Sequence, residues 1–205
     1  MNIFSPNDQN KSLTVRTITA LDKLSDGLKH LYIKGQKATG LTPLQIKIML
    51  YIAGHEPELN TVSNLVRELM VTKATISDSI KALEKKRMII KKLDTKDNRS
   101  FSIWLSPKGE KSIEELQNLM QPFEKALHNL STESSERLYV ELYSILKVLD
   151  SSKTINIQRD CLSCKNYRSD GINHAFCMKL RTQIKAHEKR MDCPVYEKQL
   201  VKSIN

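Results

Sequence analysis

Residues 72–105 constrain this chain more than any other stretch, because they read as one mechanical unit: a helix, then a two-stranded hairpin with a charged tip. The helix is expected over 72–86, with Ile76, Ile80 and Leu83 recurring at i, i+4 and i+7 on one face. Thr72 is a natural N-cap. The opposite face shows Lys73, Ala74, Ser77, Lys81 and Lys85, all small, polar or basic. An apolar run, Met88-Ile-Ile90, leads into Lys91-Lys92. The tip is Asp94-Thr-Lys-Asp-Asn-Arg99, and the alternating return strand is Phe101-Ser-Ile-Trp-Leu105.

A major groove about 12 Å wide admits one α-helix, provided its outer face is flat and hydrophilic while its inner face is anchored. Helix 72–86 has that division. Charge is placed to match. Residues 71–99 carry nine basic side chains against four acidic, whereas all of residues 1–150 carry 22 against 18. The whole chain stands at +10, which points to an anionic partner. Contacts to DNA are expected from Thr72, Lys73, Ala74, Ser77 and Lys81 on the helix, and from Lys96, Asn98 and Arg99 on the tip. Asp94 is placed to hold the tip or the Arg99 guanidinium by a charged hydrogen bond. Asp78 repels phosphate, so it must face a cytosine amino group or lie off the contact surface.

Around this unit the chain reads as mainly helical. Leu21, Leu24, Leu28 and Leu31 share one face of a helix over 12–36, with Gly35 and Gly40 expected to break it. Thr42 and Pro43 start a largely apolar helix that Gly54 and Pro57 end. A short helix over 61–69 precedes the reading helix. After the hairpin come a helix over about 107–128 and a last long helix to Asp150, with Leu138, Leu142, Ile145, Leu146 and Leu149 in its stripe. Ser151–Thr154 reads as a linker, which divides the chain into 1–150 and 151–205. No apolar run approaches the roughly 18 residues of a membrane span, and no secretory signal is visible, so a cytoplasmic protein is expected.

Three motifs then occur in order. Asp94-Thr-Lys-Asp-Asn-Arg99 resembles the D-x-R-D-x-R wing of the multiple-antibiotic-resistance-regulator (MarR) family. Leu105-Ser-Pro-Lys-Gly109 resembles its L-T-x-x-G helix start, and Leu83-Glu-Lys-Lys-Arg-Met-Ile89 its L-E-x-x-G-L-I join. The resemblance covers about residues 12–150. It implies a winged helix-turn-helix fold and a homodimer built on the first and last helices. It also implies repression of transcription from a near-palindromic operator, with an inducer changing the spacing of two reading heads. There are two departures. Arg87 stands where the family has glycine, so the reading helix is expected to end without an easy left-handed residue. Lys96 replaces an arginine, keeping charge but losing the bidentate fork. A winged-helix adaptor that binds an acidic protein is the competing reading.

Cys161-x2-Cys164-x12-Cys177-x15-Cys193 lies beyond that resemblance, and residues 1–160 hold no cysteine. Four thiols so spaced in a cytosolic chain suggest metal ligation rather than disulfides. Zn2+ is expected, with a [4Fe–4S] cluster as the alternative and redox-switching thiols as a third possibility. Residues 178–190 are expected to be helical, bringing Cys177 and Cys193 from its two ends. His174 and His187 are substitute ligands. An enzyme is the weakest reading, since a saturated four-thiolate site leaves no open position and no Ser/His/Asp constellation or phosphate-cradling loop appears.

Overall fold

The computed structural model describes residues 2, 4–93, 101–170 and 174–199. The chain divides into two compact units: Met1–Asn60 with Asp78–Pro122, and Thr61–Ser77 with Phe123–Asn205.

In the first unit α1 (Pro6–Lys11) leads into α2 (Leu13–Thr39) and α3 (Pro43–Gly54). The start of α3 is a full capping box. Thr42 Oγ1 accepts from Gln45 N–H, and Gln45 Oε1 accepts from Thr42 N–H. Expected breakers behave differently from one another. Gly40 ends α2 in the left-handed conformation (φ 68°). Gly35, contrary to expectation, lies inside α2. A Cβ there would meet Ile46 Cδ1 at 3.0 Å and Leu116 Cδ2 at 3.1 Å, so the missing side chain serves close packing rather than a break.

The reading helix is α5 (Lys73–Lys85), and it is followed by β1 (Ile89–Leu93) and β2 (Phe101–Leu105). The two strands pair antiparallel with Ile89 opposite Leu105 and Leu93 opposite Phe101. The expected wing is therefore present in its described part. The core of this unit is apolar and close-packed, with Leu41, Ile46, Ile48, Met49, Leu83 and Ile103 fully buried.

Helix α5 ends in a Schellman motif: Met88 N–H donates to Leu83 O (2.9 Å) and Arg87 N–H to Glu84 O (2.8 Å). Arg87 itself adopts φ 59°. The helix thus ends without glycine, as expected, and arginine takes the left-handed position and bears the steric cost of its Cβ. Arg87→Gly is expected to stabilise this unit by about 1 kcal/mol, read as a raised urea midpoint.

The expected continuous helix over 107–128 is instead three pieces: α6 (Pro107–Leu116), a 3₁₀ turn (Gln117–Met120) and α7 (Gln121–His128). Pro122 explains the break. It has no N–H to give to the preceding turn, and its ring crowds that turn's carbonyl.

The second unit contains α4 (Val62–Leu69), the first turn of α5, α8 (Thr132–Ser151) and the cysteine segment. Ser152 caps α8 and the next residue, Lys153, is left-handed (φ 60°), with Thr154 N–H on Leu149 O and Lys153 N–H on Asp150 O. The segment Ser151–Thr154, expected as a linker, is therefore an ordered helix end.

Residues 178–190 are not helical. A three-stranded antiparallel sheet, β3 (Tyr167–Ser169), β4 (Ala175–Cys177) and β5 (Thr182–Gln183), occupies the segment, followed by one 3₁₀ turn at Ala186–Glu188. Arg181 at φ 53° turns the chain back so that Phe176 pairs with Gln183. Backbone pairing within the sheet overrides the helical composition of this stretch. Among the described residues no helix is long and apolar enough to cross a membrane.

Candidate nucleic-acid interface and cysteine cluster

Two short helices separated by a three-residue turn carry the candidate interface. Thr61 caps α4, its Oγ1 accepting from Asn64 N–H at 3.3 Å. Met70 closes α4 in the left-handed region (φ 52°). Thr72 then starts α5: its carbonyl accepts from Ile76 N–H (3.1 Å) and its hydroxyl from Thr75 N–H (3.2 Å).

Along α5 the apolar side is sealed, with Ile76, Ile80 and Leu83 no more than 2% exposed. Thr72, Lys73, Ala74 and Lys81 are exposed and Ser77 is half-buried. Lys73, Ser77 and Lys81 follow one another at i, i+4 and i+8, a row about 12 Å long on a single face. Asp78 is held by Lys81 at 3.4 Å, both side chains in solvent. Such a pair is worth little by itself, but it occupies the carboxylate that would otherwise repel phosphate.

The wing strands extend the basic character. Lys91 Nζ meets Glu84 Oε2 at 2.6 Å, tying β1 to the last turn of α5. Lys92 Nζ lies 3.7 Å from the Trp104 ring centroid, and Trp104 Nε1 donates to Ser102 Oγ at 2.8 Å. This ammonium–indole contact fixes the cross-strand face of the wing. Trp104 has no role among the contacts expected from sequence. An aromatic side chain on an alternating hairpin strand, two positions from a lysine on the paired strand, was the available signal. The tip residues Asp94, Lys96, Asn98 and Arg99 lie outside the described residues.

All four cysteines are buried and none forms a disulfide. Cys161, Cys177 and Cys193 line one cavity of about 240 Å³, together with Glu188 and Arg190. The chain turns tightly at three of the four. Cys164 N–H donates to Cys161 O, Tyr167 N–H to Cys164 O and Tyr196 N–H to Cys193 O, each at 3.1 Å. Arg190 N–H donates to Cys161 Sγ at 3.2 Å.

Burial pushes the Cys161 thiol up, the Arg190 N–H bond opposes this, and neighbouring Cys193, Asp160 and Cys164 add to the rise. Without a cation the sulfur therefore keeps its proton. Among the described residues no group of three or more Cys, His, Asp or Glu side chains is arranged to hold a metal ion. The substitute ligands His174 and His187 face Asp170 and Glu136, at 2.9 and 3.3 Å.

Glu197 lies between Lys165 (2.5 Å) and Lys179 (3.0 Å), whose hydrogen bonds pull its carboxyl down to about 2. Because the folded value is depressed, this tie is present above the ordinary glutamate range and is lost as pH falls through that range towards 2. A lower protection factor at the Lys165 amide, which donates to Glu197 O at 2.8 Å, is the expected hydrogen-exchange readout on acidification.

Comparison with known proteins places this geometry. Residues 30–116 match the family described as transcriptional regulator SarA/Rot. The chain is similar in structure to MepR of Staphylococcus aureus in its DNA-binding conformation, at 24% identity over 65% of this chain and 98% of that one, TM-score 0.59. The S. aureus MepR–DNA complex gives 24% identity over 64% and 96%, TM-score 0.57. The transcriptional regulator BldR of Sulfolobus solfataricus gives 22% over 70% and 99%, TM-score 0.52. A comparison with curated proteins finds no match. At these identities the structural likeness establishes the winged-helix fold.

Proposed function

We propose that this protein, residues 30–116 of which match the family described as transcriptional regulator SarA/Rot, is a DNA-binding transcriptional regulator that acts as a repressor, reading a near-palindromic operator as a homodimer. One observation carries the reading. Helix α5 keeps Ile76, Ile80 and Leu83 sealed while Lys73, Ala74 and Lys81 stand in solvent with Ser77 beside them. That is the division of labour a major-groove helix needs. Lys91 and Lys92 on the wing strand add positive charge, and Lys96, Asn98 and Arg99, which lie outside the described residues, are proposed as further DNA contacts.

Support for the homodimer comes from apolar side chains left uncovered on two long helices: Leu24 and Leu28 on α2, and Leu138, Ile145 and Val148 on α8. A winged-helix reading head contacts about half a site, so a two-fold partner supplies the second half one helical turn away. A small-molecule inducer would act by changing the separation of the two heads.

The cysteine segment is proposed to take one Zn2+ through Cys161, Cys164, Cys177 and Cys193, with [4Fe–4S] as the alternative occupant. Metal binding requires the ligating thiols to be deprotonated, so loading would release protons. Metal content of protein purified without oxygen separates the two. A colourless sample with about one zinc per chain is expected, and a brown one carrying iron and sulfide rejects zinc.

The test of the whole reading is native mass measurement on a duplex from the region upstream of the protein's own reading frame. Two chains per duplex are expected. Absence of a DNA complex, with capture of an acidic protein instead, would establish the adaptor.

A further inference from the structure

We propose that the basic face of the cysteine segment around Glu197 is a second duplex-binding surface, one that grips the phosphate backbone without reading bases. Charge is the first observation. Residues 161–199 carry eight basic side chains against four acidic. The four acids are already engaged. Asp192 accepts from the buried Arg159, with Nε on Oδ1 at 2.6 Å and Nη2 on Oδ2 at 3.1 Å. Asp170 faces His174 Nδ1 at 2.9 Å, and Glu188 Oε2 accepts from Lys185 N–H at 2.8 Å. Arg159 lies outside residues 161–199, so it neutralises Asp192 without drawing on those eight cations. Arg168, Arg181, Lys185 and Lys198 stand in solvent.

The second observation is how three of the cations are gathered on the fourth acid. Glu197 Oε2 accepts from Lys165 Nζ at 2.5 Å and its Oε1 from Lys179 Nζ at 3.0 Å, so one carboxylate holds two ammonium groups side by side. Arg168 Nη1 donates to Lys165 O at 2.6 Å and to Tyr167 O at 2.9 Å, which sets its guanidinium on the same turn. The frame beneath is backbone: Lys165 N–H donates to Glu197 O and Met178 N–H to Asn166 O, both at 2.8 Å. Three positive groups therefore meet one negative group. Both lysine side chains remain 53% exposed, which leaves their ammonium groups open to a further anion. Exposed ion pairs add little stability, so the cluster is weakly explained by folding. What it does supply is a set of preorganised donors for phosphate oxygens.

The surroundings favour a duplex over an acidic protein. The patch belongs to the same compact unit as α4 and the first turn of α5, which carries Lys73 of the reading row. Its strands have three, three and two residues, too short to lay a ribbon along a groove. Such a surface meets phosphates, and phosphate contacts position a protein without carrying sequence.

The contribution to operator binding rests on the regulator reading above; affinity for duplex as such does not. Full-length reduced protein is titrated, over a range of salt, with the duplex from upstream of its own reading frame and with an unrelated duplex of equal length. Two variants break the same ion pairs with opposite changes of charge. Lys165→Gln/Lys179→Gln is expected to flatten the slope of log affinity against log salt by roughly two units per chain, on both duplexes. Glu197→Gln frees the two ammonium groups from their internal carboxylate and is expected to raise affinity at least threefold on both.

An unchanged slope in the lysine variant overturns the proposal. So does a Glu197→Gln protein weakened as much as the lysine variant, which would make the ties purely structural. Loss of retention on immobilised polyglutamate with the duplex slope unchanged would assign the patch to an acidic protein and overturn it too. A flattened slope in the lysine variant, when Lys73→Ala/Lys81→Ala leaves binding as in wild type, upholds the patch and overturns the reading of α5.

Discussion

Gly109→Ala is expected to destabilise the winged-helix unit by roughly 3 kcal/mol or more, at the upper end of overpacking costs. The reason lies in how α6 begins. Ser106 N–H donates to Met88 O at 3.0 Å, and Ser106 Oγ both accepts from Gly109 N–H (3.0 Å) and donates to Arg87 O (2.6 Å). One serine thus caps α6 and satisfies the carbonyl of the left-handed residue that ends α5. These bonds draw the first turn of α6 against the backbone of the α5–β1 join. A Cβ on Gly109 would stand 2.0 Å from Met88 O, where van der Waals contact needs about 3.4 Å. The obstacle is backbone, so no side-chain rotation relieves it. Either the Ser106 hydrogen bonds break or the wing shifts by more than 1 Å. At about 2–4 °C per kcal/mol the melting temperature should fall roughly 6–12 °C. A variant that melts within about 2 °C of wild type would show that α6 does not approach this closely.

Asp160→Ala is the second large effect, and it falls on the cysteine unit. Asp160 is fully buried and accepts from Tyr143 Oη (3.2 Å), Lys147 Nζ (2.9 Å), Ser163 N–H (3.0 Å) and the Ser163 hydroxyl. Burial alone would raise its carboxyl. The bonds from Ser163 and Lys147 outweigh burial and hold it below the usual aspartate value. Removing one partner of a buried pair costs about 3–5 kcal/mol, because the other charge is stranded. Here Lys147 keeps Asp150 at 2.8 Å and is 22% exposed, so the lower end applies. Asp160→Asn keeps the shape and is expected to cost roughly half as much. Limited proteolysis within residues 155–199 reads the result, and protection equal to wild type in Asp160→Ala would contradict it.

The winged half of the molecule was largely legible in the sequence. Ile76, Ile80 and Leu83 announce a helix by spacing, Thr72 and Thr42 announce their caps, and the alternation Phe101–Leu105 announces a strand. These are local signals, and the structure keeps them because burial agrees with them. The tail was not legible in the same way. Leu180 and Ile184 are four apart in a stretch rich in Lys, Arg, Glu and Gln, which mimics a helix. The strands there have three, three and two residues, too short for a period-two pattern to show, and backbone pairing outside them, such as Met178 N–H on Asn166 O at 2.8 Å, decides the outcome. Pro122 was a visible helix breaker that the continuous apolar stripe concealed. Arg159 escaped notice because a buried ion pair has no periodicity. The hint was chemical: an Arg-Asp pair directly before one cysteine and an Asp directly before another.

In the proposed regulator the exposed row of α5 lies against duplex DNA. The salt dependence of binding by wild type and by Lys73→Ala/Lys81→Ala tests it most directly. If both ammonium groups on each of the two chains displace counterions, the slope of log affinity against log salt should flatten by roughly four units in the double variant, with affinity lost about evenly across sequences. An unchanged slope and unchanged affinity would mean that this face of the helix does not touch DNA.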